Sequence, residues 1–230
     1  MNSLFVISLP RSLSSLTYYI ARMALGLKAP SWTSDGEIMN IDRYALYGGP
    51  THDTNVKFLL KEDKPELFRR AIDFLDQATV QSGFAYKDVI HPFVVSEWLK
   101  ASEFRVLRIK RNLTDVAFSM LAHKWLYPRV AARNQDDTEA AVIEGIIRAD
   151  MALDAVPGEH LDFDDLIIDE SVLRNALVKL YPEAAVPTFQ YLNESFCTFR
   201  DQQVLHRRTL AQYQKLAEKV QQSLDALRSA

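Results

Sequence analysis

The first stretch of the chain constrains its fold more than any other. Residues 3–9, SLFVISL, form an apolar run rich in Val, Ile and Phe that ends at Pro10, which predicts a buried β-strand. The polar stretch Arg11–Ser15 follows at once, and a helical pattern runs over residues 14–25. A strand, a tight polar turn and a helix start predict an anion site, because the backbone N–H groups and the dipole of a helix N-terminus attract negative charge.

The remaining sequence alternates between helical patterns and short apolar runs. Helices are predicted over residues 64–81, 92–101, 112–125, 136–156, 170–181 and 203–227, and strands over residues 84–90, 104–109 and 160–163. This alternation predicts a three-layer α/β/α fold with a mostly parallel central sheet and a P-loop-like phosphate-binding turn after the first strand. Ligands bind beyond the carboxyl ends of such strands, so the turns after residues 3–9 and 104–109 are candidates for a site.

Hydrophobic spacing predicts the face that each of four helices buries. The expected inward residues are Leu16, Tyr19, Ile20, Met23 and Leu27 in the first helix; Leu67, Ala71, Phe74, Leu75 and Ala78 in the helix at 64–81; Val142, Ile146, Ala149 and Leu153 in that at 136–156; and Tyr213, Leu216, Val220, Leu224 and Leu227 in the last. Asn112 or Thr114 is expected to cap the helix after residues 104–109.

Length and composition limit the class of protein. The 230 residues, 48% apolar and 25% charged, predict one globular domain over 1–230. A net charge of −3 offers no basic field to a polyanion, which argues against a dedicated nucleic-acid binder. The lone cysteine, Cys197, is expected to be a small buried residue in a reducing compartment. No signal peptide is visible and no apolar stretch approaches the ~18 residues of a membrane span, so a cytoplasmic protein is expected.

Two segments stand apart from the regular alternation. Residues 29–62 are irregular, and Tyr44–His52 within them combines aromatics with tandem glycines. A loop of this length is either functional or contains elements that the pattern does not show. We expect an acceptor or lid region over 29–62, with Tyr44–His52 as a mobile loop that lines the acceptor site. The closing helix at 202–228 could pack on its own domain or on a second copy in a homodimer.

The turn after the first strand carries its own chemistry. Arg11 offers a planar fork of donors suited to phosphate oxygens, and Ser12, Ser14 and Ser15 add hydroxyls. The turn lacks the GxxxxGK[ST] pattern and its lysine, and no Mg²⁺-binding carboxylate is evident at a strand end. Phosphoryl transfer by an ordinary P-loop enzyme is therefore disfavoured.

Four stretches of the chain resemble motifs of the sulfotransferases that use 3′-phosphoadenosine 5′-phosphosulfate (PAPS). The sequence RNLTDVAFS, from Arg111 to Ser119, resembles the family's 3′-phosphate-binding motif. The opening PRSLSS resembles its 5′-phosphosulfate loop, with Leu13 in place of the usual glycine. FAYKD at 84–88 resembles the family's strand that ends in Lys, and DFDDL at 162–166 resembles its segment after a late strand.

This resemblance implies a donor site and a reaction. PAPS is the expected co-substrate, no metal is required, and its phosphates would be held by Arg11, Ser12, Leu13, Ser14, Ser15, Arg111 and Ser119. For Leu13 to replace glycine, we expect a negative φ at this position and a side chain that faces the protein. Lys87 and Arg11 would hold the sulfuryl oxygens, and a small molecule or saccharide would supply a hydroxyl or amine.

The residue that takes the acceptor proton remains open among Glu37, His91 and Asp88, with Glu37 ranked first. Trp125 is expected as a buried aromatic on the same helix as Ser119, with stacking on a ring as the alternative. A second interpretation is a protein with the same fold and a degraded site that binds a nucleotide or acts as a scaffold, because Leu13 departs from the motif.

Overall fold

The computed structural model describes residues 2–31, 35–39, 56–192 and 206–229. Predictions for Tyr44–His52 and Cys197 lie outside these residues, as does part of the expected lid region at 29–62. The prediction that residues 1–230 form a single domain stays a prediction.

Four parallel strands form the sheet of the described chain. They are β1 (Leu4–Ser8), β2 (Ala85–Asp88), β3 (Arg105–Lys110) and β4 (Glu159–Asp162), in the spatial order β2-β1-β3-β4. In the register, Ile7 lies beside Asp88 and Arg108, so the carboxyl ends of the first three strands meet at one edge. The turns that follow these strands are therefore neighbours in space.

Helices follow the strands in the order that the sequence predicts. They are α1 (Ser14–Ala24), α2 (Pro65–Ala78), α3 (Pro92–Lys100), α4 (Leu113–Ala122), α5 (Thr138–Asp154), α6 (Phe163–Leu166), α7 (Glu170–Leu180), α8 (His206–Arg208) and α9 (Ala211–Arg228), with a 3₁₀ helix at Tyr127–Ala131 between α4 and α5. Asn112 caps α4 as predicted, since its side chain accepts from the N–H groups of Thr114 and Asp115 at 2.9 and 3.4 Å.

The sheet separates two apolar clusters. Phe5 and Ile7 of β1 point to the larger cluster, which includes residues of α2, α3, α4, α5 and α9. Leu4 and Val6 point to the opposite face, where α1, α6 and α7 cover the sheet. Alternation of side chains along β1 thus builds both layers from one strand, and the predicted three-layer α/β/α fold is confirmed.

The buried face of α1 differs from the prediction. Tyr19 and Met23 are 38% and 69% exposed, whereas Thr17, Tyr18 and Ala21 are buried. Small residues at 17 and 21 let the helix lie close to the sheet, and the Tyr18 ring occupies the space beside Gly36, where a Cβ would lie 2.3 Å from the ring. Leu27 is buried as predicted and Ile20 packs against the same cluster, so the prediction is wrong for Tyr19 and Met23 and misses Tyr18 and Ala21. The inward faces predicted for α2, α5 and α9 are confirmed.

Two predicted helices end or break earlier than expected. The helix with Ser119 stops at Ala122, so Trp125 lies beyond it. The closing helix is interrupted at Leu210, whose backbone is extended with ψ 137°, which separates α8 from α9. Trp125 follows the first break and Arg208 precedes the second, and both side chains lie at or beside the candidate site.

Gly145 sets how closely α5 approaches the 3₁₀ helix. A Cβ on Gly145 would lie 1.9 Å from the carbonyl oxygen of Pro128. No side chain fits at this position unless the backbone of the 3₁₀ helix moves.

We expect Gly145→Ala to destabilise the protein by about 1–3 kcal/mol, because the added methyl forces Tyr127–Ala131 away from α5. Helix propensity alone predicts the opposite sign, a gain of roughly 1 kcal/mol for Ala over Gly. Urea unfolding measures the difference, with Met151→Ala on the exposed side of α5 as control. A Gly145→Ala variant that is more stable than the parent would contradict the packing described.

Candidate functional site

A cleft of about 870 Å³ opens at the carboxyl edge of the sheet. The sequence-predicted residues that line it are Arg11, Ser12, Leu13, Ser14, Ser15, Glu37, Lys87, Arg111 and Ser119. Asp35, Lys57, Lys124, Trp125, Leu126, Tyr127, Phe163 and Arg207 also line it. Residues far apart in sequence converge here because their strands end side by side.

The turn after β1 is held in a left-handed conformation. Arg11 has φ 67°, and Leu13 has φ 59° and ψ 21°. The expected negative φ at Leu13 is therefore wrong: this is a conformation that glycine adopts without cost and that strains a larger residue. The other expectation holds, since the Leu13 side chain packs against the apolar cluster beneath α1 while it also borders the cleft.

The N-terminus of α1 points its unpaired groups at the cleft. The first N–H groups of a helix have no intrahelical partner, and no side chain of Leu13, the preceding residue, caps them. The Ser12 hydroxyl is buried and has no hydrogen-bond partner among the described residues. A buried hydroxyl and open N–H groups beside a guanidinium form a site that fits an anion.

Two arginines and a serine converge beside this turn. The Arg11 Nε donates to the Ser119 hydroxyl at 3.3 Å, and the Arg111 guanidinium donates to the backbone oxygen of Arg11. Arg111 also lies flat on the Phe163 ring, 4.4 Å from its centroid. Burial lowers the pKa of Arg111, and the cations of Arg208 and Arg11 add to this effect. Crowded cations in a half-closed cleft favour an anionic ligand.

Sequence reasoning missed the network that fixes Arg111. Arg208 of α8 pairs with Asp115, whose carboxylate lies 3.8 Å from the Arg111 Nε, and with Asp164 at 3.0 Å. The Tyr213 hydroxyl of α9 donates to Asp115 at 2.7 Å. Arg208 and Asp115 are 93 positions apart, so no local sequence pattern predicts that they pair.

A buried ion pair lies at the other end of the cleft. The Lys87 side chain, 3% exposed, pairs with Glu37 and with Asp35, the latter at 3.2 Å. Residues 36–38 extend the sheet edge beside β2, with the Lys87 N–H donating to the Gly36 carbonyl at 2.8 Å. The Val89 N–H donates to the second Glu37 oxygen at 3.2 Å. Both partners of the pair are thus held by backbone as well as by charge.

The pKa of Glu37 suits a proton acceptor near neutral pH. Burial raises this pKa and the charge of Asp88 adds to the rise, while Lys87 opposes it, and the net pKa is about 7. Burial also disfavours the charge of Lys87, but Glu37 and Asp35 outweigh it and raise the pKa of the ammonium. Lys87 therefore stays cationic while Glu37 exchanges a proton around neutrality.

The two other candidate bases are held away from the cleft. His91 is 2% exposed, and its Nδ1 lies 2.8 Å from the Asp88 carboxylate. Asp88 also accepts from the N–H groups of Ile90 and His91 at 3.0 and 2.8 Å. Of the three candidate bases, Glu37 alone belongs to the described lining of the cleft.

Backbone strain concentrates around the cleft. Four non-glycine residues of the described chain have positive φ: Arg11, Leu13, Phe58 and Lys124. Three of them line the cleft, and Phe58 follows Lys57, which also lines it. Such strain costs of order 1–3 kcal/mol per residue and gathers at functional sites, where the surrounding structure enforces it.

Trp125 is not the buried aromatic that the sequence predicts. Helix α4 ends in a Schellman motif, in which Trp125 N–H donates to the Met120 carbonyl at 2.9 Å and Lys124 N–H to that of Leu121 at 3.0 Å. Lys124 takes the left-handed position where glycine is usual. This turn places the Trp125 ring at the cleft, 38% exposed.

Comparison with known proteins supports the fold. The chain resembles the solved sulfotransferase domain from the curacin biosynthetic pathway with a TM-score of 0.52, covering 96% of this chain and 97% of that one at 12% sequence identity. At this identity the likeness shows a shared fold. No family model matches the sequence, and neither does any curated protein.

Two features are absent from the described residues. No group of three or more His, Cys, Asp or Glu side chains is placed to hold a metal ion. No helix in the same part of the chain is long and apolar enough to cross a membrane.

We expect Tyr213→Phe to destabilise the protein by about 1.5–3 kcal/mol, because the lost hydrogen bond reaches a buried carboxylate. Tyr181→Phe is a matched control: its hydroxyl donates to the neutral backbone oxygen of Asn2 at 3.1 Å, which predicts a loss of about 0.5–1.5 kcal/mol. Urea unfolding at pH 7 compares the two. Equal losses would show that Asp115 does not depend on Tyr213.

Proposed function

We propose that this protein is a sulfotransferase that moves the sulfuryl group of PAPS to a hydroxyl or amine of an acceptor. The observation that carries the proposal is one cleft that joins two features. The turn with Arg11 lies between Arg111 and Ser119 on the β3 side and the Lys87–Glu37 pair on the β2 side. The likeness to a sulfotransferase domain supports the same reaction class.

The residues present fit a donor with two anionic ends. The strained turn offers the buried Ser12 hydroxyl, the open N-terminus of α1 and Arg11, which suit a phosphosulfate. Arg111 directly follows β3 and Ser119 lies in α4, and together they suit a second phosphate. Arg208 would keep the Arg111 side chain in place through Asp115, since that carboxylate touches both guanidinium groups.

The chemistry assigned to this chain is a proton transfer and a charge stabilisation. PAPS supplies an activated sulfuryl group. The acceptor oxygen or nitrogen attacks its sulfur, the bond from sulfur to the bridging oxygen breaks, and adenosine 3′,5′-bisphosphate leaves. Glu37 takes the acceptor proton, for which its raised pKa is suited. Lys87, buried and cationic, stabilises negative charge on the sulfuryl and bridging oxygens. Arg11 adds a second cation from the turn.

A binding protein with a sulfotransferase fold is the second candidate. The strained backbone at Leu13 favours it, because glycine would relax that turn and allow closer approach of a phosphate. Donor binding without any transfer would identify this case.

We expect transfer activity to rise with pH through about 7 and then to level off, because Glu37 must be ionised to accept a proton. Glu37→Gln is expected to lower kcat by about 10²–10⁴-fold and to abolish this pH dependence. The assay follows radiolabelled sulfate from PAPS into a panel of phenols, alcohols, amines and saccharides. Glu103→Gln, an exposed carboxylate outside the cleft, is the control.

Full activity of Glu37→Gln together with loss in His91→Ala would overturn the assignment of the base. Donor binding with no transfer to any member of the panel would favour the binding-protein alternative.

A further inference from the structure

The turn between β2 and α3 carries two buried polar side chains to which the proposed reaction assigns no role. Asp88 and His91 are each 2% exposed, and neither belongs to the described lining of the cleft. Val89 and Ile90, which lie between them in sequence, do line it. A side chain behind the wall of the cleft acts on the cleft only through the residues that form that wall.

Asp88 binds the backbone of the turn that follows it. One carboxylate oxygen accepts from the N–H groups of Ile90 and His91 at 3.0 and 2.8 Å, and the other lies 2.8 Å from the His91 Nδ1. An aspartate that accepts from N–H groups two and three residues further on stabilises a tight turn. Pro92 also restricts the backbone of His91. The conformation of the turn therefore depends on an acceptor oxygen at position 88.

The same turn directs a backbone donor at the proposed base. The Val89 N–H donates to Glu37 Oε1 at 3.2 Å, while the Lys87 ammonium pairs with Oε2. The backbone of Glu37 is held separately, by its bridge to Lys87 at the edge of β2. Each carboxylate oxygen thus has a donor, and the turn supplies one of the two.

A second donor matters for a carboxylate that has to accept a proton. The last torsion of a glutamate side chain is broad, so a carboxylate held by one oxygen can rotate. A general base acts only when its oxygen lies within hydrogen-bond reach of the proton, and a misplacement of about 1 Å can cost roughly 10²-fold in rate. The Val89 N–H and the Lys87 ammonium together orient the Glu37 carboxylate within the cleft.

We propose that Asp88, with His91 as its buried partner, is a positioning residue for the proton acceptor: it holds the turn whose Val89 N–H orients the Glu37 carboxylate. This inference rests on the proposed function and adds to it a residue outside the described lining of the cleft. The role requires an acceptor oxygen at position 88 and no proton transfer by Asp88 itself.

Amide hydrogen exchange, followed by NMR on the whole protein, tests the turn without a substrate. Asp88→Asn keeps an oxygen that can accept from both N–H groups, whereas Asp88→Ala keeps none. We expect the Val89 amide to exchange about tenfold faster in Asp88→Ala and at nearly the parental rate in Asp88→Asn. The control is the Ala85 amide of the same strand, which donates to the Lys28 carbonyl at 2.9 Å and is expected to be unchanged.

Transfer kinetics test the effect on the base, with radiolabelled PAPS and the best acceptor of the panel at pH 8.5, above the pKa of Glu37 of about 7. Asp88→Ala is expected to lower kcat about 10–100-fold with little change in the KM for PAPS. The loss is partial because the Phe58 N–H still donates to the Ile90 carbonyl at 3.1 Å. Asp88→Asn is expected to restore most of the lost rate.

A double variant tests whether Asp88 acts through Glu37. In a Glu37→Gln background, Asp88→Ala is expected to cause no further loss of kcat, because the base that the turn orients is already absent. General damage to the fold would instead lower the remaining rate again. If Asp88→Ala does not fold, Asp88→Ser, which keeps a single hydroxyl acceptor, replaces it in all three measurements.

A parental kcat in Asp88→Ala would overturn the inference, and so would a parental exchange rate at Val89 or an equal rise at Ala85. Equal losses in Asp88→Asn and Asp88→Ala would also overturn it, since the proton or charge of Asp88 would then be needed. Losses that multiply in the double variant would have the same meaning. If the parent transfers no sulfate at all, the proposed function fails, and the exchange rate of Val89 still decides whether Asp88 holds the turn.

Discussion

Parallel pairing on both sides of β1 is the constraint on which the rest of the structure depends. Because β1 lies between β2 and β3, the turn that follows it opens between the ends of its two neighbours. The end of β2 brings Lys87, and the end of β3 brings Arg111. A cleft with an anion site and a buried ion pair follows from this strand order together with the turn.

Backbone strain and buried charged side chains occur together at this edge of the sheet. Left-handed turns at Arg11, Leu13 and Lys124 aim a guanidinium, a helix N-terminus and an indole into one space. Burial and Asp88 raise the pKa of Glu37, while Lys87 keeps its charge beside it. Each arrangement costs stability, and a stable backbone of packed helices on both faces of the sheet offsets that cost.

The sequence was informative where physical rules are local. Periodicity predicted the alternation of helices and strands, and Asn112 as a cap required only its own side chain and the next turn. The buried face of α1 and the exposure of Trp125 depended on neighbours distant in sequence, so spacing failed at both. The left-handed backbone at Leu13 could not be predicted, because leucine rarely adopts a positive φ. The ion pairs of Arg208 lie next to a helix break that no proline or glycine in the sequence marks.

A cleft that holds PAPS must distinguish a nucleotide with a 3′-phosphate from one without it. Calorimetric titration of the protein with adenosine 3′,5′-bisphosphate and with adenosine 5′-monophosphate measures this difference. We expect the bisphosphate to bind at least about tenfold more tightly, with the difference lost in Arg111→Ala, because Arg111 and Ser119 line the same cleft. Equal affinity for the two nucleotides, or no binding of either, would contradict it.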